Sequence, residues 1–227
     1  MRKNRIKSLG VIFLFATVSI SQTIRPSQPT HLMYTPTPNV NPAYHLVLGL
    51  HEISFALPGK LQLQMSLLDN IGRINFGAKY GFLSNMAVGA GMAYNFIHIG
   101  DGSHGIWDKP RLGAFLAIGL IGNQKSPFQL NITPHTQIGE YFSVGLDLGL
   151  LSSPHSMWSI IWEVGTSVTN YGGGQFYLNT DVGIRINPPG AKFLFFDLGI
   201  DLTEFHVGGA NPSVSPYIDF TFAMNTK

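Results

Sequence analysis

The fold is decided by residues 71–96, which read IGRINFGAKYGFLSNMAVGAGMAYNF. Every second residue is apolar from Ile74 to Phe82 and again from Met86 to Phe96, on either side of Leu83-Ser84-Asn85. Such alternation predicts two strands, each with one apolar face, joined by a tight turn. A tilted strand of about ten residues is long enough to cross a bilayer.

The composition favours a membrane protein. Charged residues are 11% of the 227, against about 25% in a typical soluble domain. Hydrophobic residues reach 44%, and there are 26 glycines. The chain has no cysteine, which excludes disulfides and thiolate metal sites.

Residues 1–21 are predicted to be a signal peptide. Four basic residues in 2–7 precede the apolar run Leu9 to Ile20, and small residues allow cleavage before Gln22. Without this leader, 10 basic and 12 acidic residues remain, a formal net charge of −2, so nucleic-acid binding is not expected. No later run of 18 apolar residues follows. An exported apolar chain without a spanning helix has one common membrane structure, the closed β-barrel.

Residues 22–42 contain five prolines and no periodicity. Proline lacks the N–H group that a strand ladder needs, so this stretch is predicted to be an extended lead-in segment. It is expected either to lie in the periplasm or to thread part-way into the barrel. The barrel itself is predicted for residues 43–227.

The alternation repeats along residues 43–224 and predicts an all-β, antiparallel transmembrane barrel. Eleven strands are evident, and a twelfth results if Tyr44 to Leu57 divides where its parity flips, near His51-Glu52. Even strand numbers are the rule for single-chain bacterial barrels, so twelve are predicted, with ten as the fallback. The weakest strand is Phe128 to Ile138, which contains Pro134.

The less apolar face of these strands indicates which side meets lipid. It is mostly Gly, Ala, Ser, Asn and Gln, whereas the water-facing side of a soluble sandwich would be rich in Lys, Glu and Thr. Small residues suit a narrow barrel interior, and the long uncharged face suits lipid. The apolar face is therefore predicted to point outward.

The phrases YGFLSNMAVGAGMAY (residues 80–94) and GEYFSVGLDLGL (residues 139–150) resemble those of small outer-membrane β-barrel proteins of Gram-negative bacteria. The resemblance implies the bacterial outer membrane as location, with membrane lipid and the barrel assembly machinery as partners. Its members include channels, adhesins and a few enzymes, so it does not select an activity. Many of them end on an aromatic residue, whereas here Phe222 is followed by AMNTK.

The charged residues with inward parity are the candidate functional set. In a closed barrel the basic group, from the first half of the chain, would face the acidic group across the lumen. They would then either pair and plug the barrel or set up a field across a polar channel. The set comprises Arg73, Lys79, Arg111, Asp147, Glu163, Asp181, Arg185, Asp197, Asp201 and Asp219.

No catalytic or metal motif is present. The loop His98 to Pro110 has two His and two Asp, but the spacing fits no zinc or EF-hand pattern. His135, His155 and His206 sit in no recognisable hydrolase motif. No enzyme activity, metal or cofactor is therefore expected, and a barrel-embedded hydrolase is the least favoured alternative.

Two functions stay open. The first is a narrow, weakly selective, porin-like channel for small solutes, or a structural membrane component. The second is a closed barrel whose surface loops, especially 98–110, bind a partner.

Overall fold

Twelve antiparallel strands form one closed barrel. The structure, a computed structural model, describes residues 32–66, 73–95, 110–123, 126–139, 141–170, 174–191, 193–206 and 213–225. Within these ranges there is no helix long and apolar enough to cross a membrane. The strands are β1 (His45–Gly49), β2 (Ile53–Leu57), β3 (Leu61–Met65), β4 (Arg73–Leu83), β5 (Met86–Asn95), β6 (Arg111–Ile121), β7 (Phe128–Ile138), β8 (Phe142–His155), β9 (Trp158–Thr169), β10 (Gln175–Ile186), β11 (Leu194–His206) and β12 (Ser213–Asn225).

Each strand pairs with its neighbours in the chain, and β1 pairs with β12 to close the barrel. The predicted fold, an all-β antiparallel barrel of twelve strands, is thus confirmed. The parity flip near His51-Glu52 is a turn that separates β1 from β2. β7 is continuous through Pro134, which points outward opposite Leu146, so it interrupts the apolar pattern without ending the strand.

The two faces of the wall differ sharply. Among strand residues whose side chains the structure describes, the outward set carries no Asp, Glu, Lys or Arg. It exposes large apolar side chains such as Phe76, Val88, Leu112, Leu148, Trp162, Ile184, Leu198 and Ile218.

Three outward threonines satisfy their hydroxyl groups on the wall itself. Thr136 Oγ1 donates to the Ser143 carbonyl at 3.0 Å, and Thr166 Oγ1 to that of Leu146 at 3.2 Å. Thr180 Oγ1 donates to the Glu163 carbonyl at 2.9 Å. These hydroxyls therefore need no water, as an outer surface facing hydrocarbon requires.

The two ends of the barrel differ in their connections. At one end, here the turn end, lie the turns 58–60, 84–85 and 156–157, together with the start of β1 and the end of β12. The opposite end, here the loop end, carries the connections from β3 to β4 and from β5 to β6. The first strand of the wall thus begins, and the last strand ends, at the turn end.

Candidate functional site in the barrel lumen

Residues 32–41, here the inner segment, lie inside the barrel. Their buried side chains include Leu32 and Met33, which form a core cluster with wall residues Leu151, Ile161 and Tyr217. The polar side chains of Thr35, Thr37, Asn39 and Asn41 are also buried. Of the two places expected for the lead-in segment, this part occupies the lumen.

One half of the inner segment is fastened to strands β9–β12. The carboxylate of Glu163 accepts the backbone N–H of Tyr34 at 3.0 Å and that of Thr35 at 2.8 Å. Arg185 Nη2 donates to the Leu32 carbonyl at 2.9 Å, and the Tyr217 hydroxyl donates to the Met33 carbonyl at 3.1 Å. Two buried ionic groups and one tyrosine hydroxyl thus hold the backbone of a segment that has no strand ladder of its own here.

The other half is fastened to β3, β4 and β7, nearer the turn end. Thr133 Oγ1 donates to the Pro36 carbonyl at 3.1 Å, and Lys79 Nζ to the Thr37 carbonyl at 3.4 Å. Two further bonds join Asn39 Nδ2 to Gln129 Oε1 (3.3 Å) and the Asn41 N–H to Gln62 Oε1 (3.2 Å). The inner segment therefore crosses the lumen from mid-height on one side to the turn end on the other.

Wall glycines make room for this crossing. A Cβ atom added at Gly149 would lie 2.4 Å from Leu32 Cδ1, and one at Gly199 would lie 2.4 Å from Met33 Cε. At Gly81 an added Cβ would lie 3.0 Å from Val40 Cγ2. These inward positions are small because side chains of the inner segment rest on them.

The predicted inward charges fall into distinct environments. The side chain of Arg73 lies outside the described residues, whereas Arg111 is half-buried and lines a cavity described below. Arg185 makes a buried ion pair with Asp197, which lies directly opposite on the neighbouring strand, at 2.6 Å. The partner is therefore an adjacent strand position rather than a group across the lumen.

The remaining acids all lie on wall strands but have different neighbours. Asp181 lies directly opposite Asp201 on β11 and Glu163 on β9, so three carboxylates form one inward row. Asp219 accepts the backbone N–H of Leu50 at 2.9 Å. Asp147 Oδ2 lies 2.9 Å from His135 Nδ1.

Tyr34 stands beside the row of carboxylates. Burial, together with the charges of Asp201, Asp181 and Glu163, raises the pKa of its hydroxyl above the ordinary value. Its ring packs edge-on against Tyr217, with centroids 5.0 Å apart. It also meets the ring of His51 edge-on at 6.3 Å.

A cavity of about 770 Å³ lies beside the inner segment in the loop-end half of the barrel. It is bounded by Tyr34 and His51 on one side and by strands β3–β9 on the other. Lys79, Phe115 and Thr133 lie at its inner limit, where the inner segment passes toward the turn end.

The sequence allowed residues 22–42 to enter the lumen but did not predict which wall residues hold the inner segment. A signal was present, since Thr35, Thr37, Asn39 and Asn41 alternate and are all buried. The predicted loop 98–110 lies outside the described residues except for Pro110, as does the side chain of His206. In the described part of the chain, no group of three or more His, Cys, Asp or Glu is arranged to hold a metal ion.

Neither protein-family models nor curated protein sequences give a match to this chain. What the chain does must therefore follow from the geometry of its wall and lumen. Three features matter most: an outer face without charge among its described side chains, a polar lumen, and a segment of the same chain laid across that lumen.

Proposed function

We propose that this protein is a bacterial outer-membrane β-barrel, exported by residues 1–21, that forms a narrow channel for small polar solutes and is closed by its own inner segment. The observation that carries the proposal is the crossing of the polar lumen by residues 32–41. Outer-membrane lipid and the barrel assembly machinery are the proposed partners, and no nucleic acid is involved.

The outer wall supports the membrane location. Its described side chains are mostly apolar, and the three outward threonines are bonded to backbone carbonyls. An exposed apolar surface of this extent is unfavourable in water but favourable in hydrocarbon. Most strands are also long enough to cross a bilayer when tilted.

The membrane location predicts a depth-dependent cost for an outward charge. Leu148 lies in the middle of β8 with 42% of its surface exposed, so Leu148→Arg should lower the free energy of unfolding by about 2–4 kcal/mol in phospholipid vesicles. The matched control is Leu83→Arg at the turn end, which should cost about 0–1 kcal/mol. Urea unfolding followed by fluorescence measures both. Equal small losses would indicate that the wall faces water.

The lumen supports the channel. Its inward residues include buried Gln62, Asn131, Thr133 and Ser159, and the inner segment is attached through individual hydrogen bonds. Barrels near this size lie between those filled by side chains and those that enclose a channel. Withdrawal of the inner segment would leave a polar passage.

A reversible disulfide tests the proposal. A Cβ added at Gly81 would lie 3.7 Å from Val40 Cβ, close to the roughly 3.8 Å of natural disulfides, and the chain has no competing cysteine. In planar bilayers, oxidised Val40→Cys/Gly81→Cys should be silent. Reduction should restore discrete conductance steps like those of the unmodified protein.

The matched control joins the turn after β4 to a position on β6 and leaves the inner segment unattached. In Asn85→Cys/Gly119→Cys the corresponding distance is 3.6 Å, and conductance should not depend on reduction. Identical currents from the oxidised and reduced Val40→Cys/Gly81→Cys protein would show that the inner segment does not close a channel. Silence in both states, and in the unmodified protein, would favour a closed barrel.

That closed barrel, whose surface loops bind a partner, is the second candidate. It is favoured by the number of contacts that fix the inner segment along its length, from Leu32 to Asn41. We also propose that the chain is not an enzyme and takes no cofactor. His135 pairs with Asp147, as the base of a hydrolase would. Its other ring nitrogen, Nε2, lies over Gly145, 2.3 Å from the place of an added Cβ atom. Glycine has no side chain, so this neighbouring position offers no nucleophile.

A further inference from the structure

We infer that the loop-end cavity is a binding site for a small neutral carbohydrate, whose ring lies on a floor of glycines between amide and aromatic side chains. The inference deepens the proposed function, on which it rests, by naming the class of solute. A volume of about 770 Å³ is in the range of small-molecule sites.

The floor consists of Gly77, Gly91 and Gly113, which are directly paired on β4, β5 and β6. The atoms nearest to a Cβ added at Gly91 belong to the wall's own backbone, and at Gly113 only the Thr136 carbonyl comes within 4 Å. Elsewhere the inward glycines are covered, as Gly89 is by the ring of Phe115. The uncovered floor is therefore a property of the cavity, and a flat group can approach its backbone closely.

Amide side chains border the floor. The register places Gln64 directly beside Gly77 and Gln137 directly beside Gly113. Each amide offers a donor and an acceptor at a fixed spacing. Neighbouring hydroxyl groups of a sugar present the complementary donor and acceptor pair.

An aromatic surface bounds the cavity on its other side. Tyr34 is 48% exposed although it lies inside the barrel, and its contacts with Tyr217 and His51 fix the ring. Aromatic faces pack well against the C–H face of a sugar, while hydroxyl groups at the edge of the sugar reach the amides. Together the glycine floor and the aromatic side select a flat, hydroxyl-rich ring.

The charges around the cavity favour a neutral solute. Lys79 and Arg111 are cationic, whereas Glu52 and Asp147 are anionic, and all four line the same space. A solute of either net charge would meet like charge on one side of the cavity. A neutral sugar avoids this repulsion and uses only hydrogen bonds and packing.

Saturation-transfer NMR on the full chain, in a detergent without a sugar headgroup, tests the inference. D-glucose and maltose should receive saturation from the protein. Sodium glucuronate and glucosamine hydrochloride, which are anionic and cationic, should bind about ten-fold more weakly or not at all. Stronger binding of either charged probe, or no binding of the two sugars, would overturn the proposal.

Gly113→Val tests whether the sugar binds on the glycine floor. The nearest atom to the added Cβ is 3.8 Å away, so valine fits the strand but fills the floor, and sugar affinity should fall about ten-fold or more. Ala114→Val, whose side chain points outward from the next position, should bind sugar normally. Unchanged sugar affinity in Gly113→Val would contradict the proposed site. Sugar binding without conductance would contradict the proposed channel and support the carbohydrate site. Conductance without sugar binding would support the channel and contradict the site.

Discussion

Arg185→Leu should lower the free energy of unfolding by about 3–5 kcal/mol, the largest stability loss expected at any lumen residue. The guanidinium is buried and donates three hydrogen bonds to Asp197 and one to the Leu32 carbonyl. Leucine leaves the Asp197 carboxylate buried without its counter-charge and the Leu32 carbonyl without its donor. Urea unfolding in vesicles measures the loss.

The double variant Arg185→Leu/Asp197→Leu is the control for this prediction. Replacement of a whole buried ion pair by apolar side chains is often neutral, so the double variant should regain most of the lost stability. A double variant as unstable as Arg185→Leu would mean that the loss comes from the Leu32 contact or from packing and not from the unpaired carboxylate.

Glu163→Gln should release the inner segment and raise the open probability of the channel. The carboxylate accepts two backbone N–H groups, from Tyr34 and Thr35, whereas an amide has one oxygen acceptor and no charge. Loss of one charged hydrogen bond, about 1.5–3 kcal/mol, corresponds to roughly a ten- to hundred-fold rise in the open population. Single-channel recording measures this rise.

A chemical readout separates release from a change in conductance. Thr37 is buried in the inner segment, so Thr37→Cys should react slowly with a soluble maleimide and much faster when combined with Glu163→Gln. The matched control is Asp219→Asn, another buried lumen carboxylate, which accepts from Leu50 and not from the inner segment. Equal labelling rates with either substitution would contradict the role given to Glu163.

The wall could be predicted from the sequence because one physical constraint acts on every strand. Lipid outside and polar groups inside impose a period of two, so the inward direction of Lys79 and Arg185 follows from their neighbours in the chain. The order of the strands could also be predicted, because strands that are consecutive in the chain pair as hairpins. The turn between β1 and β2 also left a visible mark, the parity flip at His51-Glu52.

The lumen could not be predicted in the same way. The alternation is unchanged when a strand slips by two residues, so it does not reveal that Arg185 is opposite Asp197. The alternation of polar residues in the inner segment does not reveal which wall residues they meet, because the contacts are remote in sequence: Tyr34 and Glu163 are separated by 129 positions. Which wall residues receive such a segment depends on the register of several strands at once.

The seam between β1 and β12 has a consequence for how the protein folds. Among the twelve described strands this is the one pairing of strands that are not consecutive, and it joins five residue pairs between the beginning and the end of the barrel. Closing so long a loop is entropically costly and slow. Because residues 32–35 contact Glu163, Arg185 and Tyr217, they tether the chain just ahead of β1 to the last strands. We expect this tether to shorten the time that β1 needs to find β12. Binding of the inner segment to the wall would then be the step that guides β1 onto β12.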